Sequence, residues 1–218
     1  MFDFTKCVTV HQGFSSIKYK DTLFKNLISF DCTTTNFINY FKETTHSFDE
    51  IPYYEDNLFL DGYFQSEKYF KNYKKELREL FSLDYTKILF FLDSLPQNKD
   101  MTSIHVRRGD YLKFPGIHDT CSLEYYKNAM DIIVSDDIEW CKENIKGENI
   151  YYSPFTDEID DLLLISSCKN KIIANSSFSW WGGYLSTVTS KVIAPKKWFG
   201  VSGPKEQSDI IPSNWIKI

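Results

Sequence analysis

The chain has 218 residues, 42% of them hydrophobic and 25% charged, a composition that folds and allows one large domain or two small ones. Its net charge of −5 argues against the broad basic face of a nucleic-acid binder, so any cationic site must be local. No apolar run approaches the roughly 18 residues that a membrane-crossing helix needs; the best is Ile88 to Leu92.

Met1-Phe2-Asp3 lacks the basic start and apolar stretch of a secretion signal. Cys7, Cys32, Cys121, Cys141 and Cys168 are widely spread with no C-x-x-C pair, which suggests neither a zinc site nor a disulfide framework. Free thiols in a reducing cytoplasm are the expectation. The segment 21–30 reads as a short amphipathic helix through Leu23, Phe24, Leu27 and Ile28. Pro52 and Gly62 punctuate a loop around a short strand at Leu58-Phe59-Leu60. Ser66 can cap a helix over 66–81 whose stripe is Tyr69, Phe70, Tyr73, Leu77 and Leu80. A second helix over 86–95 stops before Pro96.

From Met101 onward strands and helices alternate with short connections. Strands are predicted at 102–107, 132–134, 150–152, 171–175 and 191–195. Helices are predicted at 122–130, 136–144, 157–167 and 177–185. Asp136 with Glu139 forms a plausible capping pair for the second of these helices, and Thr156 can cap the third. Such alternation implies a parallel sheet covered on both faces, and right-handed crossovers make it Rossmann-like α/β.

Three predicted strand ends converge at the carboxyl edge of that sheet. The first carries His105, Arg107, Arg108 and Asp110, the second Asp136 and Asp137, and the third Asn175, Ser176, Ser177 and Ser179. Adjacent guanidiniums suit a multiply charged planar anion, and a helix start adds free backbone N–H groups for the same purpose. A carboxylate at a strand end can accept from ribose hydroxyls or a base edge. Together these make a nucleotide-diphosphate site. Each part also has an ordinary reading: surface ion pairs for the arginines, helix caps for Asp136, Ser176 and Ser177, a core position for His105 and Trp180-Trp181. Asn175-Ser176-Ser177 fits the N-glycosylation pattern as well, and modification would damage a site there.

Three stretches resemble the motifs of the α-1,2-fucosyltransferases of glycosyltransferase family 11. They are His105-Val106-Arg107-Arg108-Gly109-Asp110-Tyr111, Ser135-Asp136-Asp137-Ile138-Glu139-Trp140, and Asn175-Ser176-Ser177-Phe178-Ser179-Trp180-Trp181-Gly182. Gly62 to Phe70, Leu123-Glu124-Tyr125-Tyr126 and Ala194 to Phe199 resemble family segments in family order, so the likeness runs from about Tyr19 to the C-terminus. The resemblance implies a GT-B-like fold: a Rossmann-like C-terminal domain over 98–218 that holds the GDP-sugar, and an acceptor-side α/β domain over 1–97. That first domain is expected to be truncated, because the family's glycine-rich N-terminal segment is not in this sequence.

The resemblance also implies an inverting, metal-independent transfer of L-fucose from GDP-L-fucose to a glycan hydroxyl, with no cofactor. Arg107 and Arg108 would hold the diphosphate, Asn175, Ser176, Ser177 and Ser179 the phosphate at the helix start, and Asp136 or Asp137 the nucleoside. His105 and Asp110 are the candidate bases. Two other outcomes stay open: a relative that binds GDP or a glycan without turnover, and a transferase for another GDP-sugar.

Overall fold

The computed structural model describes residues 39–218 except 56–57, 82, 97–99, 127–130 and 189–190, together with Tyr19, Thr22, Leu23 and Lys25. Most of the helix expected over 21–30 and the last part of that expected over 122–130 fall outside these residues.

Among the described residues two short strands come first, Asn39–Lys42 (β1) and Leu58–Asp61 (β2), paired in parallel with Tyr40 stacked on Phe59 at 5.7 Å between ring centroids. The helix expected over 66–81 is broken. Ser66 does cap it, accepting from the Lys68 N–H, but two 3-10 turns at Glu67–Tyr69 and Lys71–Tyr73 precede the α-helix Lys74–Leu80 (α1). Tertiary anchors override the helical stripe here. The Tyr69 hydroxyl donates to Glu43 Oε1 (3.0 Å), while Phe70 leaves helical geometry (φ −141°) to stack on Trp181 at 5.3 Å. A regular helix would not point both rings at those partners.

Thr86–Ser94 (α2) forms as expected and ends at Leu95 before Pro96. Then come Thr102–Val106 (β3), Leu123–Tyr126 (α3), Ile132–Ser135 (β4), Ile138–Asn144 (α4), Tyr151–Tyr152 (β5) and Glu158–Ser167 (α5). Asn170–Ile172 (β6), Ser177–Tyr184 (α6), Lys191–Ala194 (β7) and Ile216–Lys217 (β8) complete the chain. The cap residues differ from expectation by one position each. Asp137, not Asp136, accepts from the Trp140 N–H, and Asp157, not Thr156, accepts from the Ile159 N–H.

β3 to β8 build one six-stranded sheet in the order β5-β4-β3-β6-β7-β8, with every neighbouring pair parallel. This is the doubly wound, Rossmann-like arrangement that the alternation predicted. Its central strands are short β-branched runs whose alternate residues go to opposite faces. Ile132 and Val134 pack with Ile88 of α2 and Leu163 and Leu164 of α5, whereas Ile104, Val106 and Ile133 pack with Tyr126 and Cys141 on α3 and α4. α5 and α6 lie close because Gly182 has no side chain: a Cβ there would sit 2.6 Å from Ile165 Cγ2. A third cluster joins α6 to α1 and the C-terminal segment through Trp180, Tyr184, Leu77, Trp198 and Ile210. Cys121, Cys141 and Cys168 are free thiols, and among the described residues no helix is long and apolar enough to cross a membrane.

Candidate functional site

The chain leaves β3 toward β4 on one side and later enters β6 on the other. The carboxyl ends of β3 and β6 therefore flank the switch point of the sheet, where open α/β folds form a crevice. Arg107 to Asp110 follow β3 directly, and Asn175 to Ser177 lead from β6 into α6. A hydrogen bond links the two sides, from the Tyr111 hydroxyl to the Asn175 carbonyl (2.7 Å).

The two arginines are not equivalent. Arg107 Nη2 lies 2.7 Å from Asp110 Oδ1, and its Nη1 lies 3.1 Å from Asp136 Oδ2. Its guanidinium stands over the Tyr111 ring at 5.5 Å, and its Nε is buried with no hydrogen-bond partner. Arg108 is pinned instead. Its guanidinium lies 3.6 Å from the centre of the Trp140 ring, and Nε meets Asp137 Oδ2 at 3.1 Å. Arg108 thus ties the end of β3 to α4 through Trp140 and Asp137, while Arg107 spends its two terminal nitrogens on Asp110 and Asp136.

The carboxylates are correspondingly occupied. Asp137 caps α4 with one oxygen and pairs with Arg108 through the other. Asp136 accepts the Arg108 backbone N–H on Oδ1 (2.9 Å) and orients Arg107 with Oδ2. Ser135 sets this division: its hydroxyl accepts the Asp137 N–H (2.9 Å) and donates to the Val106 carbonyl (2.7 Å). The turn at Gly109 depends on close approach, since a Cβ there would run into Asp136 Oδ2.

Across the crevice, Ser176 is the N-cap of α6 yet makes no side-chain cap bond, so the hydroxyls do not close off the helix start. Ser177 is exposed there. Ser179 is not: it is fully buried and its hydroxyl donates back to the Ala174 (3.4 Å) and Ser176 (3.3 Å) carbonyls. Asn175 is also committed. Its amide donates to the Asp119 and Trp198 carbonyls, each at 2.9 Å, and its Oδ1 faces the Cys121 thiol at 3.6 Å. It latches the loops that wall the crevice. Trp140 and Tyr111, which seat the two guanidiniums, escaped the sequence reading as site residues, although both lie within the quoted motifs.

His105 lies beneath this site at 3% exposure, its ring 5.3 Å from Phe178 and its Nδ1 unpartnered. Burial, with Arg107 adding to it, pushes its pKa down to about 3, so it is neutral near pH 7. At the far edge of the sheet, burial raises Asp161 to about 6 despite the Ser153 hydroxyl that donates to it at 2.5 Å, with Asp160, Asp157 and Glu158 adding to the rise.

These two groups oppose each other in acid. Below about pH 6.5 the unfolded chain protonates His105 while the folded chain does not, so this term lowers stability as pH falls. Between about 6 and 3.8 the folded chain holds the Asp161 proton more tightly, so that term raises it. Asp161→Asn is therefore expected to steepen the loss of stability from pH 6 to 4 by about 1.4 kcal/mol per pH unit. Urea unfolding at several pH values checks this, and an unchanged slope would remove the Asp161 assignment.

The family model described as "Glycosyl transferase family 11" matches residues 15–218. Among curated proteins, the chain is 34% identical to an O-antigen biosynthesis glycosyltransferase WbnK of Escherichia coli, over 56% of this chain and 46% of the relative. It is 32% identical to an alpha-1,2-colitosyltransferase of Escherichia coli, over 72% of this chain and 61% of the relative. It is also 29% identical to a putative galactoside 2-alpha-L-fucosyltransferase svh-11 of Caenorhabditis elegans, over 75% and 53%. The chain thus spans about half the length of the curated relatives it matches. No solved structure matches it significantly.

Proposed function

This chain belongs to glycosyl transferase family 11, and on that premise we propose that it is an inverting α-1,2-type transferase of L-fucose from GDP-L-fucose to a glycan hydroxyl. The observation that carries this reading is that Arg107, at the carboxyl end of β3, and the start of α6, whose N-cap Ser176 makes no side-chain cap bond, flank the switch point of the sheet. A diphosphate placed there accepts from the Arg107 fork and from the first backbone N–H groups of α6. In this reading 98–218 is the donor half of a GT-B arrangement, and the protein works in the cytoplasm.

In the reaction, an acceptor hydroxyl attacks the anomeric carbon from the face opposite the diphosphate. The bond from that carbon to the β-phosphate oxygen breaks, and the electron pair stays on the phosphate. Arg107 meets the charge that develops there without reorganising, and no metal ion is required of the scheme. The acceptor proton passes to a general base on the acceptor's face; Asp110, 2.7 Å from Arg107 Nη2, holds the guanidinium in place, and the buried His105 supports the end of β3. Asp136 and Asp137 act on the donor through the arginines they orient.

A second reading, a transferase for another GDP-sugar, has its own support in the relative named alpha-1,2-colitosyltransferase. Calorimetric titration with GDP, UDP and ADP tests what the two readings share. Selective binding of GDP is expected, and no binding of any nucleotide would overturn the donor site. GDP-fucose against GDP-colitose then separates the two.

A further inference from the structure

Past the turn at Asp110 the chain leaves a group of apolar side chains in water. Leu112 and Phe114 are 54% and 53% exposed, Ile117 is 40% exposed, and Val201 on the neighbouring loop is 79% exposed. The two loops are bound to each other: the Gly200 N–H donates to the Ile117 carbonyl (2.9 Å) and the Ser202 N–H to the Gly116 carbonyl (2.8 Å). Their tips are fixed in shape. Gly116 takes a positive φ of 85°, and a Cβ on Gly200 would run into the Gly116 carbonyl. Single exposed apolar residues are ordinary, but four on two joined loops make a patch, and patches mark contact surfaces.

The charge on the same segments is one-sided. Lys113, Lys196, Lys197 and Lys205 are exposed, and none of them takes part in an ion pair among the described residues. The stretches 111–118 and 196–205 contain no Asp or Glu. Of the carboxylates at their borders, Asp110 pairs with Arg107, and Asp119 turns into the junction of the loops, its Oδ1 accepting the Gly116 N–H at 3.0 Å. Glu206, next to Lys205, is exposed. A chain of net charge −5 thus gathers four unpaired cations on the two segments that also expose its apolar tips.

We infer that these two loops dock the protein on an anionic lipid surface. Apolar tips among lysines are the make-up of an interfacial anchor: the tips enter the boundary between headgroups and acyl chains, and the ammonium groups meet the lipid phosphates. A protein partner fits less well, because lysine is depleted from the cores of protein interfaces. A free polyanion would use the lysines but leave Phe114 and Val201 in water. The contact is a surface one, since among the described residues no helix is long and apolar enough to cross a membrane. Tyr111, whose ring seats Arg107, opens the first loop, so docking sets the crevice beside the lipid surface, where a glycan carried on a lipid would be presented.

Sedimentation of the purified chain with vesicles tests this. Vesicles of phosphatidylcholine and phosphatidylglycerol in equal parts are expected to carry the protein down, and salt to release it. Phosphatidylcholine alone should leave it in solution. Lys113→Gln with Lys205→Gln should weaken binding about fivefold per lysine, and Phe114→Ser with Val201→Ser about tenfold. All four positions are exposed, so melting temperature and GDP titration should stay as in the wild type. If the apolar pair proves unstable, the lysine pair carries the test. No sedimentation with either vesicle, or variants that sediment like the wild type, overturns the inference. Equal sedimentation with both compositions overturns it too, because the lysines then do nothing. Apolar variants that turn a dimer into a monomer, in a protein that ignores vesicles, give the patch to a second copy of the chain. A wild type that binds vesicles but no GDP removes the donor reading and leaves this one standing.

Discussion

Trp180→Ala is expected to lower the melting temperature by on the order of 10 °C. Trp180 is 4% exposed and lies against Tyr184 at 4.8 Å, Trp215 at 5.5 Å and Phe70 at 6.0 Å, so one ring joins α6, the C-terminal segment and the turn before α1. Truncating a buried aromatic costs about 3–5 kcal/mol, and each kcal/mol shifts melting by about 2–4 °C in a chain of this size. The loss does not end with volume. Trp180 Nε1 donates to the Ile210 carbonyl at 2.7 Å, and Ile210 is 1% exposed, so that oxygen is left without its partner. Trp180→Phe separates the two terms: it refills most of the space but loses the donor, and about 1–2 kcal/mol of loss is expected. A Trp180→Ala protein that melts like the wild type would exclude the core role.

The parts of the fold that could be read from sequence are those whose signal is local. Ile132-Ile133-Val134 and Thr102 to Val106 are β-branched runs too short for helices, and they became the buried centre of the sheet. β8, at Ile216–Lys217, has no such pattern. It exists because the Lys196 and Ile218 N–H groups find the Ile218 and Ala194 carbonyls, a long-range pairing that two exposed residues do not announce. β1 was missed for a related reason, since its ladder depends on a partner across a loop. The segment 66–81 failed in the opposite way: its stripe was real, but Tyr69 and Phe70 answered to Glu43 and Trp181 rather than to helical periodicity.

The site divides along the same line. The motifs placed Arg107, Arg108, Asp136 and Asp137 together, and the structure joins them by ion pairs. Sequence could not say which aspartate caps α4, because either can satisfy a helix start. The Ser135 hydroxyl, by holding the Asp137 N–H, decides it and leaves Asp136 for Arg107. Nor could adjacency reveal that Arg108 stacks on Trp140 and that Ser179 faces inward.

That asymmetry between the arginines leads to the other large effect. Arg107→Lys is expected to weaken GDP binding about 10- to 100-fold, the range that follows from losing charge-assisted hydrogen bonds of about 1.5–3 kcal/mol. Arg107 serves two carboxylates at once, at 2.7 and 3.1 Å, each through a different terminal nitrogen. A lysine carries one ammonium on a flexible stem, so held by Asp110 or Asp136 it has no fork left for a diphosphate. Arg108→Lys should behave differently. It loses the 3.6 Å stack on Trp140 and the bond to Asp137, which costs stability and shifts melting by a few degrees, while GDP affinity changes less than in Arg107→Lys. Melting curves and GDP titrations on both variants decide the matter. If Arg108→Lys loses GDP binding at an unchanged melting temperature and Arg107→Lys does not, the roles are reversed, and the anion lies on the α4 side of the crevice instead of at the start of α6.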